Sequence, residues 1–102
     1  MKVLLICSGG MSTHILISSL EKEAKKMGID NFEADAIGAN EADDYEGTFD
    51  VLLVAPQIKH KWEQMVEFAQ SKNKKIYQIQ MTEYSPIGAG KLLTNVKALL
   101  EE

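Results

Sequence analysis

Four apolar residues in succession, Val3-Leu4-Leu5-Ile6, run directly into the only cysteine, Cys7, and then into the loop Ser8-Gly9-Gly10-Met11-Ser12-Thr13. A short apolar run without alternation fits a strand buried on both faces, the environment of the middle of a helix-covered parallel sheet. The loop after it is small and uncharged, and a helical pattern follows. Buried strand, thiol, glycine loop and helix N-terminus in that order build an anion pocket with a thiol at its floor. Backbone N–H groups of such a loop converge, and the free N–H groups of the first helical turn join them. Between Met1 and Leu20 there is no Asp or Glu to repel an anionic guest.

The rest of the chain repeats the strand–helix alternation. Ile15, Leu16, Leu20, Ala24 and Met27 recur at helical spacing, with Glu21, Lys22, Lys25 and Lys26 turned outward, and Glu21 and Lys25 are spaced to pair. Gly28 supplies a helix stop. Phe32, Ala34 and Ala36 alternate with Glu33 and Asp35, which describes a strand with one polar face. The acidic stretch Asn40 to Gly47 is expected to hold a short helix and a loop. Val51 to Ala55 is a second wholly apolar strand, ended by Pro56. Trp62, Met65, Val66 and Ala69 mark a helix, Lys75 to Ile79 a fourth strand, and Leu92, Val96 and Leu99 a last helix entered through Pro86-Ile87-Gly88.

Alternating strands and helices specify an α/β fold with right-handed crossovers. The two wholly apolar strands belong in the middle and the half-polar one at an edge. A single three-layer domain over residues 1–102 satisfies this, with a four-stranded parallel sheet in the order 2-1-3-4. The chain reverses direction between strands 1 and 3, so a ligand crevice is expected beyond their C-terminal ends, at Cys7 and at Ala55-Pro56.

Composition narrows the function. The formal net charge is −4, and the densest basic spot, Lys72, Lys74 and Lys75, has no interleaved aromatics, which disfavours nucleic acid. No apolar run is long enough to cross a bilayer, so no membrane insertion is expected. A lone cysteine forms no internal disulfide and fits a reducing cytoplasm. No His, Cys and carboxylate set has zinc-site spacing, and no metal or cofactor is expected.

Cys7 has the position of a reactive residue, since a helix N-terminus stabilises a thiolate. Gly9 and Gly10 allow close backbone approach to an oxyanion, with Ser8, Ser12 and Thr13 adding hydroxyl donors. The loop is neither a Walker loop nor a GxGxxG turn. His14 falls in the first helical turn, where it can face solvent or touch the anion. For His60 a surface or capping role is expected, for Asp43, Asp44 and Glu46 a solvated loop, and for Trp62 a place in the core. Tyr84 and Ser85 follow strand 4 and are placed near the pocket.

Cys7-Ser8-Gly9-Gly10-Met11-Ser12-Thr13 resembles the loop of enzyme IIB of the bacterial phosphoenolpyruvate-dependent sugar phosphotransferase system, lactose/cellobiose/chitobiose branch. Ala55-Pro56-Gln57-Ile58, after strand 3, is similar to a Gly/Ala-Pro-Gln segment of that family. The resemblance implies that Cys7 takes a phosphoryl group from a phosphohistidine on enzyme IIA and gives it to a sugar bound in the membrane permease, enzyme IIC. It further implies that Ser8 to Thr13, with His14 at the edge, cradle the phosphate, and that Pro56, Gln57 and Tyr84 form the rim. The implied sugar is a β-disaccharide such as cellobiose, chitobiose or lactose.

Two other readings stay open. The fold expected here is also that of low-molecular-weight tyrosine phosphatases, whose signature is Cys, five residues, then Arg. The matching position is Thr13, no arginine occurs in the chain, and the segment Thr82 to Pro86 offers no Asp as general acid. A non-catalytic anion-binding regulatory module is the third reading, and it predicts that Cys7 is dispensable. A docking centre for enzyme IIA is expected around Met11 and Ile58.

Overall fold

A computed structural model describes residues 1–7 and 12–101, with the side chains of Ser12 and Thr13 not included. Of the expected cradle from Ser8 to Thr13, residues Ser8 to Met11 and the hydroxyls of Ser12 and Thr13 therefore lie outside what is described, and so does the docking role assigned to Met11. Four strands, β1 (Lys2–Cys7), β2 (Glu33–Gly38), β3 (Val51–Val54) and β4 (Lys75–Gln78), form a parallel sheet in the order β2-β1-β3-β4. Helix α1 (Ser12–Lys26) connects β1 to β2, α2 (Trp62–Ser71) connects β3 to β4, and α3 (Ala89–Leu100) closes the chain.

Strand pleating sorts the apolar runs between two layers. Val3, Leu5, Val51 and Leu53 pack with Leu16 and Leu20 of α1 and with Leu92, Leu93 and Val96 of α3. Leu4, Ile6, Leu52 and Val54 face the other way, onto Met65, Phe68 and Ala69 of α2. Val3 pairs with Val51 and Ile6 with Val54, so the two runs present matching faces. Burying each of the Val, Leu, Ile, Met and Phe side chains among these stabilises the fold by about 1.5–3 kcal/mol. That burial explains why both runs occupy the sheet centre, while β2, exposed at Glu33 and Asp35, takes an edge.

Helix α1 departs from its expected apolar face at one position. Leu16, Leu20 and Ala24 are buried, but Ile15 is 58% exposed. An ion pair joins Lys26 to Glu23 at 3.6 Å on this helix, a different pair from the expected Glu21–Lys25. The stop at Gly28 is as expected and its cause is visible. Gly28 adopts a φ of 74°, its N–H donates to Lys25 O at 3.2 Å, and Ile29 N–H donates to Ala24 O at 2.9 Å. These two bonds form a Schellman cap, which needs a left-handed residue.

The acidic stretch forms a 3-10 segment, Ala39–Asp44, and a second one, Pro56–Lys61, leads into α2. Ile58 lies in that second segment and is 3% exposed, so it is a core residue and offers no apolar docking surface. Phe49 stacks on Phe68 with ring centroids 5.9 Å apart. Helical spacing at Met65 and Ala69 had not singled out either ring.

Candidate active site around Cys7

Both central strands end at the same level. The Ala55 N–H donates to Ile6 O at 2.9 Å, extending the β1–β3 ladder one residue past β3 before Pro56 turns the chain away. Cys7 is the last residue of β1, in register with Gly38 of β2. Its side chain is 6% exposed and groups with the α2-side layer, and its S–H donates to Ile37 O at 3.6 Å. The thiol thus has a buried body and one weak partner.

Cys7 borders a cleft of about 470 Å³. Gly38 to Glu41 form one wall, and Gln57, Ile58, His60 and Lys61 form the other. The first wall is fixed by a local bond, in which Gly38 N–H donates to Glu41 Oε1 at 3.0 Å. A Cβ on Gly38 would lie 3.1 Å from that oxygen, so a glycine suits the close approach. Among the described residues a long contact reaches across, from Lys61 Nζ to Asn40 Oδ1 at 3.4 Å.

Gln57 also lines a neighbouring cleft of about 300 Å³ with Ile15, Leu16, Tyr84, Ser85 and Pro86. Tyr84 and Ser85 therefore reach the crevice end of the sheet, on the far side of Gln57 from Cys7. Pro56 lines a third, smaller depression with Lys59 and the segment Gln78 to Met81. His14 is exposed on the first turn of α1. His60, expected to be a surface or capping residue, is exposed but lines the Cys7 cleft. Sequence spacing did not point to Gly38, Asn40, Glu41 or Lys61, because only the β1–β2 register and the turn at Pro56 carry them there.

The loop between β4 and α3 is anchored from below. Glu83 is 1% exposed, and its carboxylate is satisfied three times. Tyr77 O–H and Asn95 Nδ2 donate to Oε2 at 2.7 Å each, and Gln80 N–H donates to Oε1 at 2.8 Å. Burial raises the Tyr77 phenol above its ordinary pKa, and the hydrogen bond to Glu83 adds to the rise. Gly88 packs against Thr82 O and the Glu83 backbone so closely that a Cβ would collide with both. The segment carrying Tyr84, Ser85 and Pro86 is thereby held in one shape.

Among the described residues no group of three or more His, Cys, Asp or Glu side chains is arranged to hold a metal ion. No described helix is long and apolar enough to cross a membrane. The arrangement offers a nearly buried thiol at a strand end, an open cleft above it, and the Lys61 ammonium on one wall.

Comparison with known proteins bears on the family and the fold. Residues 2–95 match the family model for the lactose/cellobiose-specific IIB subunit of the phosphotransferase system. An oligo-beta-mannoside-specific EIIB component of Bacillus subtilis is 30% identical over 83 residues, covering 81% of this chain and 80% of that protein. The cellobiose-specific IIB component of Borrelia burgdorferi superposes with a TM-score of 0.75 at 31% identity, over 99% of this chain and 92% of that one. A lactose-specific IIB domain of Streptococcus pneumoniae shares the fold, with a TM-score of 0.81 at 22% identity over 96% and 95% of the two chains.

Proposed function

Since this chain belongs to the lactose/cellobiose-specific IIB family of the sugar phosphotransferase system, we propose that it is a cytoplasmic phosphoryl carrier with Cys7 as the phosphorylated residue. The observation that supports this most directly is the position of Cys7, nearly buried at the end of β1 and bordering the cleft between the β2 and β3 ends.

The chemistry takes two displacements. In the first, the Cys7 thiolate attacks phosphorus of a phosphohistidine on enzyme IIA. An S–P bond forms, the P–N bond breaks, and the imidazole leaves with the electron pair. In the second, a hydroxyl oxygen of a sugar held in the permease, enzyme IIC, attacks the same phosphorus. The O–P bond forms, the S–P bond breaks, and the thiolate is regenerated while the hydroxyl proton passes to solvent or to a base on the permease. Phosphoryl transfer asks the protein chiefly for positioning and charge stabilisation. A thiolate serves both steps, as a strong nucleophile and then as a leaving group. Ser8 to Thr13 and His14 are the proposed cradle, with Pro56, Gln57 and Tyr84 at its rim. The oligo-beta-mannoside relative and the cellobiose-specific neighbour favour a β-linked oligosaccharide as the final acceptor.

Intact mass spectrometry after incubation with phosphoenolpyruvate, the general phosphotransferase proteins and a cognate enzyme IIA tests the proposal. The expected result is one added phosphoryl group on Cys7, absent in Cys7→Ser and stable until permease and sugar are supplied. Rapid Cys7-dependent hydrolysis of an aryl phosphate would replace the carrier by a phosphatase. An unchanged mass with a competent phosphorylated IIA would leave a non-catalytic module.

A further inference from the structure

A phosphoryl group on Cys7 would bring about two negative charges into a cleft that Glu41 lines on one wall and Lys61 on the other. The chain has no arginine, so any full positive charge for that group must come from lysine or histidine. The eleven lysines are distributed unequally with respect to the cleft. Lys2 begins β1, and Lys22, Lys25 and Lys26 occupy the second half of α1. Lys72, Lys74 and Lys75 lie between the end of α2 and the start of β4. Lys91 and Lys97 are on α3. Lys59 lines the depression beside Gln78 and Met81. Lys61 alone of the lysines lines the cleft of Cys7, where His60 is its neighbour.

The present partner of Lys61 is a weak one. Its Nζ donates to the neutral Asn40 Oδ1 at 3.4 Å, near the limit for a hydrogen bond, and that bond is exposed. An ammonium held by a neutral amide keeps its charge uncompensated and can exchange that partner for a phosphate oxygen without breaking an ion pair. Lysine suits this exchange, being a flexible point charge with three donors.

We propose that Lys61 is the positioning cation of the Cys7 site, parked on Asn40 while the thiol is free and turning to an anionic group carried by the sulfur. This deepens the carrier proposal above and rests on it for the identity of the anion.

Charge-selective alkylation of the intact protein tests the proposal without any phosphoryl donor. Cys7 is the only cysteine, so iodoacetate and iodoacetamide both report on it. The ratio of their rate constants measures the local potential, because thiolate fraction and exposure act on both reagents and cancel. In Lys61→Gln the iodoacetate-to-iodoacetamide ratio is expected to fall roughly three- to tenfold at low salt, an effect that 1 M salt should erase. Lys61→Arg should keep the ratio, and Lys22→Gln, on the exposed face of α1, should leave it unchanged. A Lys61→Gln ratio equal to that of the parent protein would overturn the proposal, as would an equal fall in Lys22→Gln. If the carrier proposal fails because no phosphoryl group reaches Cys7 from enzyme IIA, the alkylation ratio still reads the role of Lys61 independently.

Discussion

The two flanks of the crevice end of the sheet are built by opposite rules. On the β4 side, Glu83 is fully buried and takes three short hydrogen bonds, two from side chains on β4 and α3 and one from the Gln80 backbone. On the β2 side, Gly38 and Glu41 share a 3.0 Å bond, but the contacts of Cys7 and Lys61 are weak, a thiol S–H to the Ile37 carbonyl oxygen and an exposed 3.4 Å bond from Lys61 to Asn40. A buried carboxylate that loses a donor has no water to replace it, so the first flank is held to one arrangement. Groups that face an open cleft can change partners at little cost. The contrast separates a frame from a working surface within one small sheet.

The largest expected effect comes from breaking the frame. Glu83→Ala leaves the Tyr77 hydroxyl and the Gln80 N–H without their acceptor and leaves Asn95 its longer bond to the Tyr77 oxygen, and should cost about 3–5 kcal/mol of stability. Urea unfolding measures it. A loss below about 1 kcal/mol would mean that this flank is no more fixed than the other.

Next in size is Tyr77→Phe, which removes one donor to the carboxylate and should cost about 1–2 kcal/mol near neutral pH. It also sharpens the comparison through pH. The folded-state pKa of Tyr77 is raised, so its contribution is fully present below the unfolded tyrosine value of roughly 10. Above that value the unfolded chain releases the phenolic proton first, and the contribution is lost as pH rises through the folded value. Thermal melts across the alkaline range should show the parent protein and Tyr77→Phe converging in stability as pH rises. A constant gap between them would contradict the raised pKa.

The smallest effect should come from the working surface. Asn40→Ala removes an exposed 3.4 Å contact and should change stability by less than about 0.5 kcal/mol. A cost comparable with that of Tyr77→Phe would show that the cleft wall is also structural.

The residues of the frame were hard to see beforehand. Glu83 lies in the polar run Thr82 to Ser85, and nothing local distinguishes a buried carboxylate there from a solvated one. Its burial depends on Tyr77 and Asn95, which are six and twelve positions away. Ile15 and Ile58 show the same limit from the apolar side. Ile15 fits the apolar face of α1 yet is exposed, and Ile58, expected at an exposed docking centre, is core. In a helix the edge of the apolar stripe is set by what packs against it. In the turn after Pro56 the backbone kinks at Ile58, whose φ of −119° and ψ of 27° leave the 3-10 form; Ile58 is buried there and His60 is exposed on the cleft wall.

The sequence by itself determined the strand order, the crevice at Cys7 and the helix stop at Gly28. Each follows from local chemistry: uninterrupted apolar runs must be covered on both faces, a half-polar strand must sit at an edge, and a left-handed cap favours glycine. For Gly38, Asn40, Glu41 and Lys61, tertiary structure alone decided that they share the cleft with Cys7. Gly38 arrives by parallel register, Lys61 by a turn, and Asn40 and Glu41 by the segment that leaves β2. Parallel strands are joined only through long crossovers, so residues that meet at their ends lie tens of positions apart, and no local spacing encodes their meeting.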